Sequence, residues 1–213
     1  MRLTALASIN REVGDRMILR NTALSLLAML LMGESVAAKD WDFPTLGFSI
    51  TTPSGWHVVD DATFVENRER VDAGTLNDEI RAAEIPAVSV TRFPPSHDDL
   101  NARLSVTVRV LDQANVRAMD LAEALIPPLR AAFPDFEVAE GPRQIVVGGV
   151  DASFTRVRYT LLVDGSESYP VESLFWLVPQ DRRVLIVGAG LRQDQDADTR
   201  TAIDRSVESI RFH

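Results

Sequence analysis

Residues 150–178 read VDASFTRVRYTLLVDGSESYPVESLFWLV. The pair Asp164-Gly165 suits the positive φ angles of a tight hairpin turn, so it predicts two antiparallel strands, Val150 to Val163 and Tyr169 to Val178. Three more strands are predicted around this hairpin: Phe136 to Val138, Arg143 to Val147 and Arg183 to Gly188. The C-terminal part of the chain therefore folds into an antiparallel sheet.

Two further hairpins are predicted nearer the N-terminus. Gly47 to Thr52 alternates as a short strand, Pro53-Ser54-Gly55 turns the chain, and Trp56 to Val59 begins a second strand. Ile85 to Phe93 and Leu104 to Leu111 form the other pair, with a turn-rich segment between them. We expect the whole sheet to be mainly antiparallel.

A helix that covers this sheet is predicted from Asp120. Asp120 and Glu123 have the spacing of a capping box, in which carboxylates satisfy the free N–H groups of a helix start. A proline inside a helix removes a backbone hydrogen bond, so a kink or a restart is expected at Pro127. One face of this helix carries the apolar residues Leu121, Leu125, Leu129 and Phe133.

Two other regions have helical character. Asp60 to Ala83 is polar with scattered apolar residues and predicts one or two short surface helices. A final helix is capped by Asp198 or Thr199, and its apolar face is formed by Ile203, Val207 and Ile210. Together with the antiparallel sheet, these helices give an α+β fold class.

The first 38 residues read as a secretory signal peptide. The apolar run Thr22 to Met32 follows Arg20 and precedes the small residues of Ser35 to Ala38, the expected order of basic, apolar and cleavage regions. Eleven apolar residues are fewer than the roughly 20 that a helix needs to cross a bilayer. We expect cleavage after Ala37 or Ala38, with Met17 as an alternative start and residues 39–213 as a single exported domain.

Composition excludes several classes of function. The chain has no cysteine, so disulfides, thiolate metal sites and thiol nucleophiles are ruled out. Its net charge of −9 repels phosphate backbones and anionic lipid headgroups, so we expect no nucleic-acid partner. Lys39 is the sole lysine among 22 basic residues, a bias that we attribute to a GC-rich bacterial gene.

Three short motifs resemble those of a known family. These are Phe48-Ser49-Ile50, the turn Pro53-Ser54-Gly55-Trp56 and the ending Ser209-Ile210-Arg211-Phe212. With a covering helix and hairpins between them, the chain resembles the PsbP-like family and its bacterial relatives of the DcrB type. The resemblance implies an α/β/α sandwich around a central antiparallel sheet. It also implies a protein that is not an enzyme and that docks on a larger assembly.

Two motifs imitate ligand sites. Val184 to Gly190 looks like the start of a dinucleotide site, but Gln193 replaces the third glycine, so a core strand is predicted instead. The acidic run Asp194, Asp196 and Asp198 imitates a calcium loop without its glycine and its bidentate glutamate. These three aspartates and His97 are kept as weak metal candidates, because only His57 and His213 could add further imidazole ligands.

Seven residues are candidates for partner binding. Trp41 and Phe43 form either an N-terminal docking arm or a packed edge under the sheet, and Phe93-Pro94-Pro95 forms either a stiff apolar contact loop or an ordinary hairpin end. Arg156 and Arg158 share one strand face. They either line a groove for an acidic group or pair across strands with acids such as Glu172.

These observations predict a binding protein and not an enzyme. We expect no cofactor, because no histidine, serine or acid falls in a recognisable catalytic pattern. The first hypothesis is a periplasmic or secreted accessory protein that docks on another envelope protein or a membrane assembly. The alternative is a soluble periplasmic carrier whose sandwich holds a small apolar or cationic ligand.

Overall fold

The antiparallel hairpin predicted at Asp164-Gly165 forms the centre of the fold. The computed structural model describes residues 34–35, 38–72, 84–94, 97, 99–164, 167–194 and 197–213. Strand β9 (Val150–Val163) pairs antiparallel with β10 (Glu167–Gln180), and Asp164 has a φ of 51° at the turn. Strand β11 (Arg183–Arg192) returns on the other side of β10 and pairs with β7 (Arg103–Val110).

The main sheet has nine strands among the described residues. Its order is β1-β4-β6-β7-β11-β10-β9-β5, and β8 pairs with β9 along the same outer edge as β5. The short strands have these bounds: β1 (Glu34–Ser35), β4 (His57–Val58), β5 (Val71–Asp72) and β6 (Val88–Thr91), with β8 the longer edge strand (Glu137–Val147). All of its strand pairs are antiparallel, as predicted.

Two helices cover one face of this sheet. Helix α1 (Asp61–Arg70) contributes Phe64, and helix α2 (Ala118–Ala132) contributes a buried leucine stripe. Helix α2 packs on alternate residues of β9 and β10, because successive side chains of a strand point to opposite faces, and Phe64 of α1 joins the same cluster. This first cluster includes Leu121, Leu125, Leu129, Val157, Tyr159, Leu161, Phe175 and Leu177.

The opposite face is covered by a helix and a small second sheet. Helix α3 (Ala197–Glu208) and the sheet β12-β3-β2 pack on the other set of alternating residues. The small sheet consists of β2 (Asp40–Phe43), β3 (Phe48–Thr51) and β12 (Arg211–Phe212). The second cluster includes Phe48, Ile50, Phe154, Leu174, Trp176, Val187, Ile203 and Ile210. The structure is therefore an α/β/α sandwich in the α+β class, as expected.

The motifs behind the family resemblance lie together. Phe48 and Ser49 of β3 pair directly with Phe212 and Arg211 of β12. Ser209 strengthens this junction, because its Oγ accepts the backbone N–H of Thr51 at 2.8 Å. The start and the end of the domain are thus joined in one small sheet.

Five sequence-based expectations were wrong in detail. Asp198 and Thr199 lie inside α3 and do not cap it, and the strands predicted at Phe136 to Val138 and Arg143 to Val147 form the single strand β8. The segments around Pro53-Ser54-Gly55 do not form a hairpin, because β3 joins the small sheet and β4 joins the main sheet. Helix α2 begins at Ala118, so Asp120 lies in its first turn and forms an ion pair with Arg117 at 3.2 Å. The same helix runs uninterrupted through Pro127 and Pro128, held by the buried leucines on either side.

Candidate functional site

A charged cluster lies on the face of the main sheet that α3 covers. We call Glu140, Arg156, Arg158, Glu172 and Arg200 the arginine cluster. The Glu172 side chain is fully buried. Its carboxylate oxygens lie 2.5 Å from Arg200 Nη2, 3.0 Å from Arg158 Nε and 4.0 Å from Arg156 Nη1. Arg156 also contacts Glu140 at 3.2 Å.

The register of the sheet explains why these charges meet. Glu172 of β10 pairs directly with Arg158 of β9, and Leu174 pairs with Arg156 two residues further on. Arg200 reaches them from the first turns of α3. The predicted cross-strand pairing of Arg156 and Arg158 with Glu172 is therefore confirmed, and the buried carboxylate neutralises part of the arginine charge.

Trp41 and Phe43 are packed onto the domain by strand β2. Their rings lie 6.2 Å apart in a parallel arrangement, and Phe43 stacks on Phe48 at 5.0 Å. The Lys39 ammonium lies 3.8 Å from the centroid of the Trp41 ring. Both aromatic residues remain half-buried, so each takes part in the second cluster and also keeps some exposed surface.

An open cleft lies between Trp41 and the first turn of α1. Its volume is about 500 Å³, and its lining includes Trp41, Val58, Asp60, Asp61 and Pro86. Asp60 caps α1, because its Oδ1 accepts the Thr63 N–H at 2.8 Å. We call this cavity the β4 cleft, since Val58 belongs to β4.

The outer edge of β4, beside this cleft, accepts a strand. Glu34 and Ser35 pair antiparallel with Val58 and His57 as strand β1. These two residues lie inside the predicted signal peptide, whose other residues up to 33 lie outside the described part of the chain. The β4 edge is therefore filled by residues 34 and 35.

Aromatic and polar contacts join the described residues of the segment after β6. Phe93 stacks on His97 at 4.3 Å, and the Arg92 guanidinium lies 5.1 Å from the Phe93 ring. Asn101 closes the loop by accepting the Phe93 N–H at 2.9 Å and donating to the Phe93 carbonyl at 2.7 Å. Pro94 is exposed, whereas Pro95 lies outside the described residues.

The metal candidates are separated or already paired. Asp194 accepts two hydrogen bonds from Arg192 at 2.8 and 3.0 Å, which lower the pKa of this carboxyl. Asp198 lies in the first turn of α3, and Asp196 lies outside the described residues. No group of three His, Asp or Glu side chains converges anywhere in the part of the chain that the structure describes.

Arg103 is a site residue that the sequence analysis missed. The segment Arg103 to Val110 alternates polar and apolar residues, a pattern that favours a solvent-facing polar row. The Phe64 ring of helix α1 instead lies 5.1 Å from the Arg103 guanidinium, and the Arg103 side chain is fully buried. One signal in the sequence could have revealed it, namely an arginine within a strand that has a neighbouring strand on each side.

Comparisons with known proteins support the fold. No protein-family model matches this chain, and no curated protein does. Among solved structures, LpqN of Mycobacterium tuberculosis, described as involved in cell envelope biogenesis, is similar at a TM-score of 0.50 and 12% identity, over 81% of this chain and 88% of LpqN. Cyanobacterial PsbP from Synechocystis is similar at a TM-score of 0.49 and 16% sequence identity, over 85% of this chain and 96% of that protein.

The fold of this chain is similar to that of LpqN. A Bacteroides thetaiotaomicron protein is also similar, at a TM-score of 0.47 and 12% identity over 84% of this chain, but the chain spans 49% of that protein's length. At sequence identities this low, structural similarity is evidence of a shared fold and not of a shared function. None of the helices in the described ranges combines the length and the hydrophobicity needed to cross a bilayer.

Proposed function

We propose that the mature chain is an exported, non-enzymatic accessory protein of the bacterial cell envelope, which captures an extended segment of a partner protein at the edge of β4. The observation that carries this proposal is the pairing of Glu34–Ser35 with His57–Val58. An exposed strand edge presents unpaired N–H and C=O groups, and a partner chain can satisfy them as an added strand.

The chemistry beside this edge favours a basic and partly apolar segment. Trp41 and Val58 offer apolar surface, whereas Asp60 and Asp61 give the β4 cleft an acidic wall. The whole chain is acidic as well, with a net charge of −9, so long-range attraction acts in the same sense. A partner segment with one or two basic side chains next to an aromatic or aliphatic one is complementary to this surface.

Signal cleavage is required for the proposed edge to open. We expect the envelope-purified protein to begin at Ala38 or Lys39, which mass spectrometry of the intact protein measures. A mature chain that retains Glu34 and Ser35 would keep β1 on β4 and would contradict the proposal.

Site-specific photo-crosslinking tests the docking surface. A photoreactive residue at Ala62, exposed on the cleft side of α1, is expected to crosslink one stoichiometric envelope protein in the producing cells. The same residue at Ala131, exposed on α2, is the matched control and is expected to give none. Equal crosslinking at both positions, or none at Ala62, would overturn the assignment.

A pair of charge reversals tests the acidic wall. Asp61 and Asp120 both lie in the first turn of a helix, and only Asp61 lines the cleft. Asp61→Lys is expected to reduce the Ala62 crosslink at least tenfold, whereas Asp120→Lys leaves it within about twofold. The two variants have the same net charge, so a general charge effect would lower both yields alike.

A further inference from the structure

Arg103 carries a buried positive charge that the described part of the chain does not neutralise. Its side chain is the largest of the fully buried ones, and its Nε, Nη1 and Nη2 atoms have no hydrogen-bond partner. Burial lowers the pKa of this guanidinium to about 9, so it stays protonated at neutral pH. An unpaired buried ion is strongly unfavourable, because it loses its hydration without gaining a partner, and proteins therefore pair or ligate such groups.

The neighbours of Arg103 include an aromatic ring, a hydroxyl side chain and a glycine. The guanidinium lies 5.1 Å from the Phe64 ring of α1. Across the sheet, Arg103 pairs with Thr91 on β6 and with Gly190 on β11, and a glycine contributes no side chain to this face. The side chain therefore lies in a region where β11 presents bare backbone.

Two neighbouring polar atoms also lack a partner. His57 pairs with Thr91 in the same row, and Ser89 lies two residues before Thr91 on the same face of β6. His57 Nδ1 and Ser89 Oγ are buried and make no hydrogen bond within the described residues. We call Arg103, His57, Ser89 and Phe64 the Arg103 site. These three polar side chains lie on the same sheet face, within the neighbouring strands β4, β6 and β7, and one of them lies beside an aromatic ring, which is the composition of a binding site.

We propose that the Arg103 site binds a small monocarboxylic acid with an apolar body. The guanidinium fork matches the two oxygens of a carboxylate, and a single negative charge balances a single arginine. Ser89 and His57 then supply further hydrogen bonds to the carboxylate. The apolar body of the ligand lies against Phe64 and the first hydrophobic cluster, of which Phe64 is part.

This proposal differs from the docking surface in site and in ligand chemistry. The β4 cleft is acidic and open and selects a basic segment, whereas the Arg103 site is buried and selects an acid. It also reverses one expectation from the sequence, since a carrier with this site takes an anionic ligand and not a cationic one. Failure of either proposal leaves the other intact.

Octanoate and octan-1-ol are matched probes for the Arg103 site, because they share chain length and differ in charge. With the purified full chain, saturating octanoate is expected to raise the melting temperature by about 5 °C or more, and octan-1-ol by less than about 1 °C. Calorimetric titration then gives the affinity for octanoate. Equal shifts with both probes, or no shift with octanoate, would overturn the proposal without any variant.

Two substitutions localise the effect. Arg103→Met is expected to weaken octanoate at least tenfold, since a hydrogen bond to a charged group is lost. Arg109→Met is the matched control, because Arg109 lies on the same strand face and is only half-buried, and it is expected to change the affinity less than threefold. Equal losses in the two variants would contradict the assignment to Arg103.

A third variant tests whether a carboxylate of the chain itself neutralises Arg103. Asp78 and Glu79 lie outside the described residues, and the double variant Asp78→Asn with Glu79→Gln removes both charges. The proposal expects octanoate affinity to stay within about twofold. A rise of tenfold or more would mean that the substitutions had freed an arginine already paired within the chain, and would overturn the proposal.

Discussion

Arg158 and Arg103 lie on opposite faces of the same sheet and have opposite surroundings. Arg158 faces α3, is partly exposed, and donates to the buried Glu172 at 3.0 Å. Arg103 faces α1, is fully buried, and has no hydrogen-bond partner among the described residues. The first arginine has its counter-charge within the fold, whereas the second is suited to a counter-charge that a ligand brings.

The contrast shows how a strand position determines what an arginine does. Glu172 is directly opposite Arg158 in the register, so the ion pair follows from the pairing of β9 with β10. Thr91 and Gly190 are opposite Arg103, and neither carries a charge. Substitutions that alter one side chain at a time can therefore distinguish an arginine that is paired within the fold from one that is not.

Glu172→Gln is expected to have the largest effect. It leaves Arg156, Arg158 and Arg200 around a neutral amide in a buried position. Breaking a buried ion pair costs about 3–5 kcal/mol, and the partial exposure of these arginines puts the expected loss near about 3 kcal/mol. Urea unfolding measures it, with the exposed Glu208→Gln as a control within about 0.5 kcal/mol. A loss below about 1 kcal/mol would show that the cluster does not need its central carboxylate.

Tyr159→Phe is expected to have a moderate effect. Tyr159 is buried on the same face as Arg103, but its hydroxyl has a partner, Ser173 Oγ at 2.9 Å. Removing one neutral hydrogen bond costs about 1 kcal/mol. Tyr169→Phe is the matched control, because its hydroxyl donates to Glu167 at an exposed site, and it is expected to cost less than about 0.5 kcal/mol. Similar losses in the two variants would contradict the importance of burial on this face.

Asp204→Asn is expected to have the smallest effect and to depend on pH. Loss of water around Asp204 raises its pKa above the usual 3.8, Arg200 opposes the rise, and Glu208 and Glu140 add to it. Because the pKa of Asp204 is higher in the folded state than in the unfolded state, the protonated carboxyl favours folding. This contribution to stability is present below the pKa of the unfolded state and is lost as the pH rises through the pKa of the folded state.

Replacing Asp204 therefore stabilises the protein at neutral pH only. The side chain is exposed, so the gain is on the order of a few tenths of a kcal/mol. Below about pH 3 the carboxyl is mostly protonated in both states, and the variant and the parent are expected to unfold alike. Thermal unfolding at about pH 7 and about pH 2.5 measures the difference. An equal gain at both pH values would mean that the carboxylate charge is not responsible.

The long strands and the apolar helix faces could be predicted from the sequence. The turn at Asp164 and the alternation of β9 and β10 fixed the central hairpin, and the leucines of α2 identified the helix that covers it. The cross-strand contact of Arg158 with Glu172 followed from the same alternation. These predictions succeeded because they depend on residues close in sequence or directly opposed in a hairpin.

The remaining features depend on contacts between distant segments. The separation of β3 from β4 is determined by β12, which lies more than 150 residues further on and takes the place beside β3. Arg103 looked solvent-facing because its strand alternates, but its side chain is fully buried beside Phe64 of α1. The β4 edge needed the pairing of β1, which no local pattern indicates.

The most direct test of this account compares Arg103→Met with Arg158→Met in urea unfolding, in a buffer without carboxylates. Arg158→Met leaves Glu172 with fewer partners and is expected to lose about 1–2 kcal/mol, whereas Arg103→Met removes an uncompensated buried charge and is expected to lose nothing or to gain about 1 kcal/mol. A larger loss in Arg103→Met than in Arg158→Met would show that the chain itself neutralises Arg103, and would contradict the contrast on which the account rests.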